Sequence, residues 1–150
     1  MSGCAVVGVG TEDRGDDAIG ALVADRVREL GAAGDTVEPV ATPLELLDVF
    51  DRYDSVVVVD AVRSGAEPGA VTVSVLNESP SPARRPSAGT HGLGVPEAVE
   101  LARALDRLPA RLVLVGVELA DVTTGADLTE AVAGAVDRAA SEVLRAAEAR

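Results

Sequence analysis

Residues 55–62 read Ser55-Val56-Val57-Val58-Val59-Asp60-Ala61-Val62. Four consecutive β-branched residues leave no polar side for solvent, which is the pattern of a central strand covered on both faces. Upstream, Cys4 to Val9 is a second short apolar run ending at Gly10, and Thr11 to Gly15 is a polar loop. From Asp17 to Leu30, the residues Ile19, Leu22, Val23, Val27 and Leu30 recur at helical spacing, and Gly31 stands where a helix stops. Thr36 to Val40 reads as a short strand. Pro43 to Phe50 reads as a short helix with Pro43 near its first position.

Downstream, Ala70 to Leu76 alternates, with Val71, Val73 and Val75 on one side and Thr72 and Ser74 on the other. Only Arg63 to Gly69 separates it from the valine strand, too little chain for a helical crossover. It is therefore expected to run antiparallel to its predecessor. Asn77 to Val95 is rich in Ser, Pro and Gly and has no periodicity, so it reads as a long loop of functional interest. Pro96 to Leu105 reads as a helix, Arg111 to Val117 as a buried strand, and Thr129 to about Ala147 as the last helix. The order is β-α-β-α-β-β-α-β-α, an α/β protein.

The chain has 150 residues, which suits one domain over 1–150 with a single sizeable core. With one Phe, one Tyr and no Trp, that core must be built from Val, Leu, Ala and Ile. The formal net charge of -12 disfavours nucleic acid and anionic membrane as partners and suits cationic ones, metal ions included. All 13 basic residues are Arg, so lysine Schiff-base chemistry and a phosphate-loop lysine are excluded. The lone Cys4 forms no internal disulfide or multi-cysteine zinc site and reads as a small buried hydrophobe. No leader pattern and no apolar run of spanning length is evident, so a cytoplasmic protein is expected.

In open parallel sheets, ligands bind beyond the carboxyl ends of the strands. Asp16-Asp17 follows the first strand and its loop, Asp60 lies at the end of the valine strand, and His91, the sole His, lies in the long loop. Asp16 suits a helix N-cap, which leaves Asp17 for the cleft. Asp60, embedded in an apolar run, is costly without partners and is either structural or functional. His91 sits in Gly89-Thr90-His91-Gly92-Leu93-Gly94; alone it would read as a solvated loop residue. Together, two carboxylates and an imidazole suit a borderline divalent cation with open positions, or a water with a carboxylate as general base.

Rival motifs fail on particular residues. Gly8-Val9-Gly10 begins like a dinucleotide fingerprint, but Asp13 stands where the third Gly belongs, and Asp16 and Asp17 would repel a pyrophosphate. No nucleotide is therefore expected. No Gly-x-Ser-x-Gly elbow supports a serine triad. Arg84-Arg85 reads as a solvated loop pair or a partner contact.

Taken in order, these segments resemble the hydrogenase maturation endopeptidases. That family opens with an apolar strand, Gly-x-Gly-Asn and Asp-Asp/Glu-x-x-Gly, and here the sequence reads Gly8-Val9-Gly10-Thr11, then Asp16-Asp17-Ala18-Ile19-Gly20. Its second acidic residue ends an apolar strand, as in Val57-Val58-Val59-Asp60-Ala61. Its His opens His-x-Leu-Gly, as in His91-Gly92-Leu93-Gly94. A later strand and a Gly-x-x-Leu-Ser/Thr segment are matched by Leu114-Val115-Gly116-Val117 and Gly125-Ala126-Asp127-Leu128-Thr129.

The resemblance implies a three-layer fold: a twisted, mostly parallel five-stranded sheet with one antiparallel strand and helices on both faces. It implies that Asp17, Asp60 and His91 contact a metal. It further implies that nickel already inserted in a nickel-iron hydrogenase large-subunit precursor is the signal for removing a C-terminal peptide. The nickel is then carried by the substrate, and either Asp17 or Asp60 is the base. Thr11 departs from the usual Asn, Glu12-Asp13-Arg14-Gly15 is more charged than the family's apolar loop, and Ala18 stands where Gly is common. A non-proteolytic metal-binding assembly module and a hydrolase of another small substrate are the competing readings.

Overall fold

The computed structural model describes residues 3–9, 19–31, 35–36, 40, 43–62, 66–77, 95–118 and 134–148. Its strands are β1 (Cys4–Gly8), β2 (Asp35–Thr36), β3 (Ser55–Val62), β4 (Val71–Val75) and β5 (Arg111–Glu118). Its helices are α1 (Ile19–Glu29), α2 (Leu46–Arg52), entered through a 3-10 turn at Pro43–Glu45, α3 (Val95–Ala104) and α4 (Val136–Glu148).

The sheet order is β2-β1-β3-β5-β4. Four strands of five to eight residues carry it, and β2 adds a two-residue pairing at one edge. All neighbours are parallel except β4, which pairs antiparallel with β5. The expected mixed α/β sheet is therefore present.

β4 has the expected direction but a different neighbour. β5 enters between β3 and β4, so the short connection joins two strands that both flank β5. Its span is held by the last residue of β5: Gly69 donates its N–H to the Glu118 carbonyl at 3.0 Å, and the Glu118 N–H donates to the Ala70 carbonyl at 2.9 Å. The connection of eight residues, 63–70, excludes a helical crossover, but it does not decide which strand fills the gap.

Alternation of side chains across each strand divides the interior into two cores. Val57, Val59, Val113, Val115 and Val117 pack with Ile19, Val23 and Val27 of α1 and Ala139, Ala140 and Val143 of α4. Ala5, Val7, Val56, Val58 and Leu112 pack on the other side with Phe50 of α2 and Val95, Ala98 and Val99 of α3. Val56 to Val59 are all 0% exposed, the double coverage that four successive valines require. Cys4 is buried, as its neighbours dictate.

Two helix boundaries differ from the sequence expectation, while of the expected second strand the structure describes pairing at Asp35–Thr36 and an isolated bridge of Val40 to Val9, with 37–39 outside the described residues. α1 ends at Glu29, and Gly31 then adopts φ +75°, a left-handed stop that glycine takes without strain. The last helix begins at Val136 rather than near Thr129. Gly134 and Ala135 form a turn before it, where glycine is a poor helix former, and 119–133 lie outside the described residues.

Asp51 of α2 and Arg107, in the connection into β5, form a two-point pair, Nε to Oδ1 at 3.1 Å and Nη2 to Oδ2 at 2.5 Å. The Arg107 hydrogen bond holds the Asp51 carboxyl below its ordinary range. A carboxyl with a lowered folded pKa contributes stability above the unfolded value, about 3.9 for Asp. That contribution disappears as pH falls through the folded value. The pair is largely exposed, so its effect is modest. Asp51→Asn is expected to lower the melting temperature slightly at pH 7 and not at pH 2, flattening the acid limb of a melting-temperature profile taken between those values.

Candidate functional site at the carboxyl end of the sheet

Asp60 is the sixth residue of β3, directly after the buried valines, and is half-buried. The strand stays paired through this point, Val59 with Val115 and Asp60 with Gly116. Asp60 Oδ1 accepts the Ala61 N–H at 2.9 Å, which turns the carboxylate back along its own strand. Asp60 has the same strand parity as Val56 and Val58, so it stands on the α2–α3 side of the sheet, beyond where the core ends. This is the strand end where open α/β sheets bind ligands.

The neighbouring strand carries a buried carboxylate that the sequence reading did not single out. Glu118 is 3% exposed and closes β5, opposite Val62 and two residues past the partner of Asp60. Strand alternation puts it on the same face as Asp60. The signal was available in the sequence, an acidic residue ending an apolar strand, but it is the same signal that marks Asp60 and does not rank the two.

β1 and α1 complete the rim. Gly8 pairs with Val59, and Val9 donates its N–H to the Val59 carbonyl at 2.9 Å. α1 begins at Ile19, which is fully buried. Asp17 and His91 lie outside the described residues, so of the three expected site residues the structure describes Asp60 alone. Among the described residues, no group of three His, Cys, Asp or Glu side chains is placed to hold a metal ion. No described helix is long and apolar enough to cross a membrane.

The family described as hydrogenase maturation protease matches residues 37–146. The chain is 28% identical over 146 residues to the hydrogenase expression/formation protein HupD of Rhodobacter capsulatus, covering 93% of this chain and 69% of that one. Among solved structures, it is similar to the [NiFe] hydrogenase maturation protease HycI of Thermococcus kodakarensis KOD1, at 26% identity and a TM-score of 0.72. That match covers 95% of this chain and 92% of the other. The hydrogenase maturating endopeptidase HybD of E. coli matches at 25% identity and a TM-score of 0.76, covering 95% and 90%. The chain belongs to the hydrogenase maturation protease family and is a peptidase.

Proposed function

We propose that this chain removes the C-terminal extension of a nickel-iron hydrogenase large-subunit precursor after nickel insertion, in the cytoplasm. Asp17, Asp60 and His91 contact the nickel while the precursor still holds it. The carrying observation is the family match over 37–146 together with Asp60 at the carboxyl end of the central strand. The same reading takes β2 as the fifth strand of the three-layer family architecture.

Two carboxylates and one imidazole form a donor set suited to a borderline divalent cation and leave coordination positions for another protein's ligands. Three such ligands bind weakly enough to test a partner's metal without extracting it. The nickel is thus part of the substrate, and its chemical contribution is Lewis acidity at the scissile carbonyl.

The remaining chemistry falls to the protein. A water oxygen bonds to the carbonyl carbon, and Asp17 or Asp60 takes the proton. The C–N bond then breaks, with a proton delivered to the departing amine. The acidic chain, -12 overall, disfavours nucleic acid as a competing partner.

Incubation with purified precursor, with and without nickel, followed by mass spectrometry tests this reading. The expected result is loss of a C-terminal peptide from the nickel-loaded form alone. Binding without a change in mass would establish the non-proteolytic assembly module instead.

A further inference from the structure

β4 closes one edge of the sheet, with β5 as its neighbour among the described residues. Its backbone has two sides. Leu76 donates its N–H to the Leu112 carbonyl at 2.8 Å, and the Ala70 carbonyl accepts the Glu118 N–H at 2.9 Å. Antiparallel pairing alternates the direction of these groups from residue to residue. Thr72 and Ser74 share the parity of Ala70 and Leu76, so their backbone groups turn toward β5. Those of Val71, Val73 and Val75 turn outward.

Edge strands commonly carry a charge, a proline or a bulge that discourages further pairing. β4 reads Val-Thr-Val-Ser-Val and pairs with β5 residue for residue, so it carries none of the three. Its apolar side chains are also poorly covered. They lie on the face where Val113, Val115 and Val117 are 0% exposed, yet Val73 is 47% and Val75 38% exposed. The helical layer of α1 and α4 stops short over this part of the strand.

The strand's own chemistry says what fits it. From either end, β4 reads valine, hydroxyl, valine, hydroxyl, valine. A second copy laid antiparallel about a two-fold axis at Val73 sets Val73 against Val73, Val71 against Val75, and Thr72 against Ser74. The residues whose backbone turns outward are then the ones that face each other, so every outward N–H meets an outward carbonyl. The valines of both copies form one row on the helical face, and the hydroxyls meet in pairs on the other. No charged residue of β4 enters the contact, which suits two chains of -12 each.

We infer that β4 is a self-association edge, through which two copies join into one continuous sheet with an isologous interface. The partner's strands run antiparallel, so the two Asp60 residues lie at opposite ends of the joined sheet. The inference is independent of the peptidase reading. A contact of one short strand per copy is small, so the association is weak and depends on concentration.

Sedimentation velocity of the full chain over roughly 1–300 μM, the range of a weak association, is expected to show a monomer passing to a dimer. About 0.3 M salt screens the repulsion between the acidic chains. Val73→Lys sets two like charges together at the axis and is expected to stay monomeric at an unchanged melting temperature. Cysteine variants check the register, because the native Cys4 is buried. Val73→Cys brings two thiols together at a Cα separation of about 5.5 Å, within disulfide range, and is expected to give a covalent dimer on mild oxidation. Val75→Cys leaves its thiols about 14 Å apart along the strands and is expected to stay uncrosslinked.

A wild-type chain that remains monomeric throughout overturns the inference, as does a dimer that survives Val73→Lys. Should Val73→Lys not fold, the cysteine pair decides: crosslinking at 73 alone upholds the register, and equal crosslinking at 73 and 75 overturns it. A monomeric wild type in which Val73→Lys raises KM for the precursor about tenfold or more would assign the edge to an extended substrate segment instead.

Discussion

Asp60→Asn yields a folded protein whose cleavage of nickel-loaded precursor falls by about 10²- to 10⁴-fold, the span ascribed to a positioned acid–base group. The substitution removes a charge while keeping the oxygen that accepts the Ala61 N–H at 2.9 Å. Asp60 is half-buried at the end of its strand, and no packing volume changes. Its effect on stability is therefore expected within about 0.5 kcal/mol. Melting temperature and the mass of the released peptide, measured on the same preparation, separate the two contributions. Wild-type turnover would remove Asp60 from the chemistry and leave it a strand-end carboxylate.

Leu112→Ala is expected to have the opposite signature: a large loss of stability, with the remaining folded molecules still able to cut. Leu112 is 0% exposed in the core shared with Phe50, Val56 and Val58. Its backbone is also fixed on both sides. Its N–H donates to Asn77 Oδ1 at 2.8 Å, and its carbonyl accepts the Leu76 N–H at 2.8 Å. A strand so pinned cannot collapse onto the vacated volume, which places the loss at about 2–5 kcal/mol. For a chain of this size that is a drop of roughly 6–15 °C in melting temperature. Against a total of about 5–15 kcal/mol it is a large fraction. Denaturant midpoints check it, with Val73→Ala as the contrast. Val73 is 47% exposed on the edge strand, and its truncation is expected to change stability by no more than about 0.5 kcal/mol.

The valine run and the alternation of β4 were legible because strand character is written in neighbouring residues. Val56 to Val59 could bury both faces only at the centre of a sheet, and they do. The alternation of β4 announced a half-exposed strand, and β4 does lie at the edge, but Val73 and Val75 are themselves exposed there, at 47% and 38%. The stop at Gly31 was legible for the same local reason, since a left-handed residue ends the helix that its apolar spacing announces. The position of Asp60 was equally plain, because a carboxylate can follow four valines only where the strand leaves the core. Asp17 and His91 were singled out by the same kind of reading, but they fall outside the described residues.

What the sequence determined by itself is thus the set of elements, their burial, and the strand end at which a charged group must emerge. The tertiary structure decided which strands are neighbours. β5 separates β3 from β4 because its Val113, Val115 and Val117 complete one core while Leu112 completes the other, and no short-range pattern encodes that choice. It also decided what Gly8 and Gly20 are for. Twelve positions of sequence separate them, and only because helix and sheet meet would a Cβ on Gly8 strike the backbone of Gly20, and one on Gly20 the backbone of Val9 and Val59.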